Sequence, residues 1–121
     1  MQHATIRKYT MRKLGLCLCI LLLTGCAAKS VDTSGLKVKT TREKPTGNCA
    51  ELGDVTGAQG NWFTGPYTPN KNLYEGAVND LRNQAGKMGG THVWIHENKM
   101  LTGHQADTVN ALVIGTVYRC E

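Results

Sequence analysis

Residues 73–90, LYEGAVNDLRNQAGKMGG, are the one long stretch of this chain with a regular helical period. Apolar side chains recur there every three or four residues, which places them in one stripe along a helix of about four turns. Gly89 and Gly90 end the stretch, and glycine is typical of helix ends because it adopts left-handed backbone conformations. We expect the rest of the folded chain to form strands that pack against this stripe. The predicted stripe consists of Leu73, Ala77, Val78, Leu81, Ala85 and Met88.

Four other segments have the composition of strands. The first alternates apolar and polar side chains, which is the pattern of a half-buried strand. In the second, Gly53 and the irregular spacing of the apolar residues predict a β-bulge. The last is apolar on both faces, which is typical of a strand in the centre of a sheet. We therefore expect an α+β fold of order β-β-α-β-β, an antiparallel sheet of about four strands with the helix packed on one face. The segments are residues 36–41, 49–57, 91–98 and 110–120.

The start of the chain has the pattern of a bacterial lipoprotein signal. Residues 1–13 are basic, and residues 14–23, LGLCLCILLL, form an apolar run. Ten apolar residues are too few to span the roughly 30 Å core of a bilayer, but they suit a signal peptide. Residues 23–26, LTGC, resemble the lipobox, whose cysteine thiol carries diacylglycerol. We expect residues 1–25 to be a removable signal peptide and Cys26 to be the site of lipid attachment.

The positive charge of the chain belongs to that leader. The formal net charge of +5 falls to +1 without residues 1–25, because ten Lys and Arg then face nine Asp and Glu. A protein that binds nucleic acid would keep its basic residues in the folded part. We therefore expect no nucleic-acid partner. Met11, rather than Met1, would start a leader of more usual length.

A short connection is predicted to follow the leader. Residues 26–35 are interpreted as the lipidated cysteine and a tether of small and polar residues. The nine tether residues, 27–35, reach at most about 30 Å when extended. The domain at residues 36–121 is therefore expected to stay near the membrane. In bacterial lipoproteins, which this segment resembles, the residue after the cysteine directs sorting. Ala27 at that position favours the outer membrane, with the domain facing the periplasm.

Cys49 and Cys120 are the two cysteines of the predicted domain. In an exported domain, two thiols most simply form one disulfide. It would close a loop of about 70 residues, for which the chain-entropy model gives roughly 4 kcal/mol of stabilisation. The alternative is a pair of reduced, buried thiols.

Three aromatic residues lie in an irregular stretch at residues 58–72. Trp62, Phe63 and Tyr67 are interspersed there with glycines and prolines. One interpretation is that the rings fold back and cover the open end of the core, since aromatic side chains bury much apolar area. The alternative is an exposed aromatic surface that binds another protein or the lipid interface.

The polar face of the predicted helix offers a second candidate surface. Asn79, Arg82 and Asn83 are spaced i, i+3 and i+4, so they form one patch. Two amides and a guanidinium suit the backbone or carboxylates of a partner protein. The alternative is a solvated face on which the arginine stem packs.

His92 and His96 are candidates for a metal site. On a strand they lie about 13 Å apart, too far to share an ion at ligand distances of about 2 Å. The β-branched and aromatic residues around them favour a strand over a helix that could chelate. His104 belongs to a predicted connection at residues 99–107, which would have to fold back. We expect no metal site.

Motifs for catalysis are missing from the sequence. It has no G-x-S-x-G nucleophile motif, and its paired glycines follow the predicted helix, whereas a phosphate site needs them ahead of one. Asp54, Asp80 and Glu97 are lone carboxylates rather than a catalytic pair. We expect neither an enzyme nor a cofactor.

Three strings resemble the YjeI-like small lipoproteins of Gram-negative bacteria. They are NWFTG from Asn61, GAVNDLRNQAGKMGGTHV from Gly76, and VYRC ending at Cys120. The resemblance covers most of residues 36–121 and implies a compact α+β domain without known catalytic residues. Relatives in some pathogens are associated with the outer-membrane core of a type IV secretion apparatus, so the resemblance also implies a place in such a complex.

A more distant resemblance is to the periplasmic domain of RcsF, an outer-membrane lipoprotein that signals envelope stress. The shared features are the C-x-x-L-G-x-V-x-G pattern of residues 49–57, the alanine-bearing helix and a strand that ends in His96. We therefore expect a non-catalytic outer-membrane lipoprotein that binds another envelope protein as a structural or accessory component. The alternative is an envelope stress sensor that signals through a partner.

Overall fold

The computed structural model describes residues 27–102 and 108–121. The predicted signal peptide, Cys26 and His104 lie outside these residues, so the predictions made for them remain predictions. The described residues form strands β1 (Lys39–Thr41), β2 (Cys49–Gly60), β3 (His92–Thr102) and β4 (Thr108–Cys120), a 3-10 helix (Gly65–Tyr67) and helix α1 (Asn70–Lys87).

The strands form one sheet of order β1-β3-β4-β2. β2 and β3 each run antiparallel to β4, but β1 runs parallel to β3. The predicted α+β class and the order β-β-α-β-β are confirmed, whereas the purely antiparallel sheet was wrong. α1 returns the chain to the end of the sheet where β2 begins, so β3 starts there and runs in the same direction as β1.

The strand boundaries differ from the predicted ones. β1 has only three residues because Leu36 and Val38 N–H groups bond locally, to the carbonyls of Asp32 and Gly35. β3 continues through Thr102, so the predicted connection at residues 99–107 begins as strand. β2 extends to Gly60, which shortens the irregular stretch that follows it.

α1 buries the stripe that its sequence pattern predicted. Leu73, Ala77, Leu81 and Ala85 have no exposed surface, and Val78 packs partly buried against them. Met88 was predicted to belong to the stripe, but it is 37% exposed because it lies at the C-cap, beyond the last turn.

The end of α1 is the predicted glycine cap. Gly89 has a φ of +79°, in the left-handed region. The Gly89 and Gly90 N–H groups donate to the carbonyls of Gly86 and Ala85, at 3.0 and 2.9 Å. This is the Schellman arrangement, which satisfies helix carbonyls that have no partner within the helix.

α1 lies to one side of the sheet, over β2 and β4, and contacts β3 little. Gly57 in β2 makes this approach possible, because a Cβ atom there would clash with the Ala77 carbonyl oxygen and lie 2.6 Å from Leu81 N. The core is the layer between α1 and these strands. Its remaining buried apolar residues are Val38, Val55, Val93, Ala111, Val113 and Val117.

β4 lies between β2 and β3, as its two apolar faces predicted. Its pairing with β2 shifts register between Glu51 and Gly53, which confirms the predicted bulge. Cys49 and Cys120 are partners in that register and form a disulfide. The bond joins the outer strand β2 to the central strand at one end of the sheet.

Candidate interaction surfaces

The polar face of α1 binds the N-terminal segment of the same chain. Asn79 Nδ2 donates to the Lys29 carbonyl at 2.8 Å, and Asn83 Nδ2 donates to the Ser30 carbonyl at 3.1 Å. Asn83 Oδ1 in turn accepts the Asp32 N–H at 2.8 Å. Asn83 is only 8% exposed as a result.

Arg82 continues this arrangement. Its Nε donates to the Val38 carbonyl at 3.1 Å, and its Nη2 donates to the Leu36 carbonyl at 3.3 Å. The prediction that Asn79, Arg82 and Asn83 face a partner protein was therefore wrong. Residues 29–38 have few regular backbone partners of their own, and these side chains satisfy carbonyl groups that would otherwise lack one.

The N-terminal segment also contacts α1 at very short range. A Cβ atom at Gly86 would clash with the Ser34 carbonyl oxygen, so the segment lies directly on the helix backbone. Gly86 exposes that backbone because it has no side chain. The predicted tether is thus part of the folded domain from Lys29 onward, and only Ala27 and Ala28 separate this domain from Cys26.

Two carboxylates strengthen this attachment. Burial raises the pKa of Asp80, but hydrogen bonds from Lys29 and from the Ala58 N–H outweigh it, so the pKa lies below the ordinary value of 3.8. Asp32 also has a lowered pKa, because it accepts hydrogen bonds from the Ser34 hydroxyl and the Gly35 N–H. Asp80 Oδ1 lies 2.9 Å from Lys29 Nζ. Both carboxylates stay ionised down to acidic pH.

The aromatic loop, residues 61–67, is exposed. Trp62, Phe63 and Tyr67 are 81%, 67% and 78% exposed. The interpretation that these rings cover the core was wrong, because most of the surface of each side chain is exposed. The exposed aromatic surface is the interpretation that agrees with the structure.

This loop has a defined backbone. Asn61 Oδ1 accepts the N–H groups of Phe63 and Thr64, both at 2.9 Å, which makes an Asx turn. Gly65 lies so close to β4 that a Cβ atom there would clash with Val109. The Trp62 and Phe63 rings contact each other edge to face, with centroids 5.7 Å apart. The loop therefore displays its aromatic rings from a fixed position.

The outer edge of β2 is covered by side chains. Asp80 Oδ2 accepts the Ala58 N–H at 3.0 Å, and Gln84 Nε2 donates to the Thr56 carbonyl at 2.8 Å. Lys29 Nζ lies 3.5 Å from the Ala58 carbonyl. An incoming strand would have to displace these groups to pair with β2 here.

The outer edge of β3 differs. β1 pairs with it only from His92 to Trp94, and no described residue pairs with this side of β3 from there to Thr102. A groove of about 420 Å³ lies beside this open edge, between β1, β3 and the first half of α1. Its apolar wall consists of Tyr74, Val78 and Ile95, and its rim includes Arg42, Glu97 and Asn98.

His96 takes part in a polar chain across three strands. Thr116 Oγ1 donates to Asp54 Oδ1 at 2.6 Å and lies 3.2 Å from His96 Nε2. Thr116 has a single hydroxyl proton, which points to Asp54, so His96 must be the donor in its own contact. A catalytic threonine needs a neighbouring base that accepts its hydroxyl proton, and its hydroxyl must be accessible to substrate. Thr116 is only 7% exposed, so it does not meet the second requirement. The chain satisfies a buried hydroxyl and does not form a catalytic triad.

Neither a metal cluster nor a membrane span is present in the part of the chain that the structure describes. Within residues 27–102 and 108–121, no three histidine, cysteine, aspartate or glutamate side chains are placed to hold a metal ion. His92 Nδ1 instead contacts the Thr91 hydroxyl at 2.9 Å. Over the same residues, no helix combines the length and the apolarity that crossing a bilayer requires.

The sequence matches a known domain family and several curated relatives. The family model DUF4156, a domain of unknown function, matches residues 29–120. The chain belongs to this family. It is 34% identical over 104 residues to the uncharacterized protein YjeI of Escherichia coli K12, which covers 83% of the chain and 87% of the relative. The YjeI proteins of another Escherichia coli strain, O6:H1, and of Shigella flexneri match to the same extent.

The match to the DUF4156 family and the structure agree on where the domain starts. It begins at Lys29, the first residue held on α1, rather than at the predicted domain start at residue 36. The resemblance to YjeI-like proteins is confirmed.

Sequence reasoning missed the side chains that cover β2. Asp80 and Gln84 are spaced i, i+4, so the pattern could have placed them on one helix face. Nothing in their neighbourhood indicates that they bond the backbone of a strand more than twenty residues earlier. Lys29 was likewise assigned to the tether, because its partner Asp80 lies far away along the chain and leaves no local signal.

Proposed function

We propose that this chain is a lipid-anchored, non-catalytic outer-membrane protein that binds an extended segment of another envelope protein along the open edge of β3. It acts as a structural or accessory component of an envelope complex. The lipid on Cys26 holds the domain on the membrane, and the sheet edge holds the partner.

The open edge of β3 is the observation that supports this proposal most. An added strand pairs with such an edge through main-chain hydrogen bonds, and a neighbouring pocket selects its side chains. The groove beside β3 provides that pocket. Tyr74, Val78 and Ile95 receive an apolar side chain of the bound segment, while Arg42 and Glu97 contact polar groups at the rim.

Two features of β3 oppose indiscriminate pairing. Its register with β4 shifts between Ile95 and Glu97, and such bulges twist an edge away from a flat partner. Lys99 Nζ lies 2.9 Å from Glu97 Oε1, so charge is displayed along the same edge. The partner must therefore supply matching side chains as well as a backbone.

The anchoring part of the proposal is supported by the N-terminal pattern and by the disulfide. The basic segment, the apolar run and the LTGC motif precede Cys26 in the order that lipoprotein export requires. The Cys49–Cys120 disulfide suits an oxidising compartment such as the periplasm.

Site-specific crosslinking in cells tests the binding edge. A photo-crosslinking amino acid replaces Asn98, which is exposed at the rim of the groove, in the full chain. The matched control carries it in place of Thr56, which is exposed on β2 beside the covered edge. We expect a discrete crosslinked protein from position 98 and none from position 56. Equal crosslinking at both positions, or none at position 98 in a correctly folded protein, would contradict the proposal.

The lipid anchor has a test of its own. Metabolic labelling with a radioactive fatty acid is expected to mark the wild-type chain and to be lost in Cys26→Ala. Globomycin, which blocks the lipoprotein signal peptidase, is expected to cause an unprocessed form to accumulate. A processed, unlabelled periplasmic protein with Cys26 intact would contradict lipid attachment.

A further inference from the structure

The N-terminal segment approaches α1 in a defined direction. Lys29 is held by Asn79, and Asp32 is held by Asn83, one helical turn later. The segment therefore runs toward the C-terminus of α1, and the chain before Lys29 points toward its N-terminus at Asn70. That end of the molecule, where β2 and β3 end and α1 begins, is called the loop end below.

Exposed apolar side chains are concentrated at the loop end. Five of the seven large exposed hydrophobic residues among the described residues lie there, so their distribution is strongly uneven. Two others, Leu36 and Met88, lie elsewhere. The five at the loop end are Trp62, Phe63, Tyr67, Met100 and Leu101.

Chain length keeps the lipid attachment site close to Lys29. Cys26 is three residues before Lys29, which corresponds to at most about 11 Å of extended chain. The axial distance from Asn79 to Asn70 is about 14 Å at the rise of an α-helix. Asn79 is near the middle of α1, so this length alone does not distinguish the two ends of the helix. The direction of residues 29–32 on α1 does, because it points the preceding chain toward the loop end.

We propose that the loop end lies against the lipid bilayer, with Trp62, Phe63 and Tyr67 in the head-group region. This rests on the proposed lipid attachment at Cys26. Aromatic rings of this kind are favoured at membrane interfaces because one part is apolar and another is polar. The acyl chains and the aromatic loop form two separate contacts with the membrane, which fix the orientation of the domain.

Charged residues at the loop end agree with a lipid surface. The side chain of Lys71, in the first turn of α1, is 82% exposed, and that of Lys99 near the end of β3 is 52% exposed. Each also forms an exposed ion pair, with Glu75 and Glu97 respectively. Long basic side chains beside an apolar patch extend toward lipid phosphates while their stems remain on apolar surface. In this orientation Met100 and Leu101 lie near the membrane, whereas the part of the open β3 edge beside the groove, at residues 95–98, lies farther from it and is accessible to a periplasmic partner.

Tryptophan quenching tests this orientation, because the chain has two tryptophans in different places. Trp94 is half-buried, and its indole N–H donates to the Arg42 carbonyl. Full-length, lipidated Trp94→Phe retains only Trp62, and the matched control Trp62→Phe retains only Trp94. Both are reconstituted into phosphatidylethanolamine and phosphatidylglycerol vesicles, with or without lipids brominated near the head group.

We expect bromine to reduce the emission of Trp62 by about half and to leave that of Trp94 unchanged. Vesicle flotation of the same samples shows whether the protein is membrane-bound. If the protein floats with the vesicles but the emission of Trp62 is not quenched, the proposed orientation is overturned and the lipid anchor still holds. A blue shift of Trp62 without quenching assigns the loop end to a protein contact and also overturns it. A protein that carries no lipid and does not float contradicts the anchor itself, and the orientation fails with it.

Discussion

The two outer edges of the sheet differ in how well their backbone groups are covered. Along β2, Asp80 and Gln84 of the helix bond the backbone of Ala58 and Thr56. Along the outer edge of β3, pairing with β1 stops at Trp94 and the residues from His96 to Thr102 are exposed. Unpaired strand edges promote unwanted association, so proteins normally protect them. An edge that is left open beside a groove, while its counterpart is covered, is the better candidate for a binding site.

The position of α1 and the short length of β1 together account for this difference. Gly57 lets the helix approach β2 closely, which places helix side chains within reach of that edge. The same displacement leaves β3 with little helix above it and creates the groove. One close backbone contact thus helps to cover the β2 edge, whereas the β3 edge is open because β1 ends at Thr41.

Breaking the disulfide should have the largest effect on stability. Cys49→Ser together with Cys120→Ser removes the covalent link between β2 and β4, and we expect the free energy of unfolding to fall by roughly 4 kcal/mol. The link lies on the β2 side of the sheet, so a folded variant should keep crosslinking at position 98. Urea denaturation with and without reductant measures the change. Equal midpoints under both conditions would refute it.

Gly57→Ala tests whether the close approach of α1 protects β2. The new methyl group would push the helix away, and we expect a loss of about 1–3 kcal/mol in the free energy of unfolding. Thr56→Ala is the control, because Thr56 is the exposed neighbour on the same strand and should change stability by less than about 0.5 kcal/mol. A fully stable Gly57→Ala protein would show that the close contact is dispensable.

Asp80→Ala should uncover the β2 edge directly. It removes the acceptor of the Ala58 N–H and the partner of Lys29, and we expect a loss of roughly 1 kcal/mol, limited by solvent screening. The variant should also self-associate in sedimentation velocity experiments. Glu75→Ala, which removes an exposed ion pair with Lys71 on the same helix, is the control and should remain monomeric. A monomeric Asp80→Ala protein of unchanged stability would contradict the protective role.

Acidic pH should have the smallest effect on stability, through protonation of Asp80 and Asp32. Asp80 and Asp32 have lowered pKa values in the folded protein, so their stabilisation is complete above the ordinary value near 3.8. It is lost as the pH falls through the lowered folded values, where protonation weakens the contacts of Asp80 with Lys29 and the Ala58 N–H and those of Asp32 with Ser34 and Gly35. We expect the wild-type melting temperature to exceed that of Asp32→Asn/Asp80→Asn at neutral pH and the difference to narrow below about pH 4. A constant difference would refute this.

Features with a local cause were predicted well from the sequence. The spacing of Leu73, Ala77 and Leu81 predicted the buried stripe, because helical periodicity is a property of the segment itself. Gly89 predicted the helix end through its backbone freedom. The apolar pattern of residues 110–120 predicted a central strand, since such a strand is covered on both faces.

Features that depend on distant partners were predicted poorly. Asn79, Arg82 and Asn83 formed a patch of the expected shape, yet their partners are backbone groups more than forty residues earlier. Hydrogen bonds of this kind leave no periodic signal in either segment. The apolarity of Trp62 was compatible with a cover over the core or with an exposed surface, because burial depends on whether room remains in the core.

The sequence by itself determined the local elements of the folded domain: one amphipathic helix, the strands around it and two cysteines. Only the tertiary structure decided how they are used: the parallel pairing of β1, the folding of residues 29–38 onto α1, and the contrast between a covered and an open sheet edge. The physical reason is that local periodicity and backbone preference are encoded within a segment. Edge coverage and exposure depend instead on which segments meet in space.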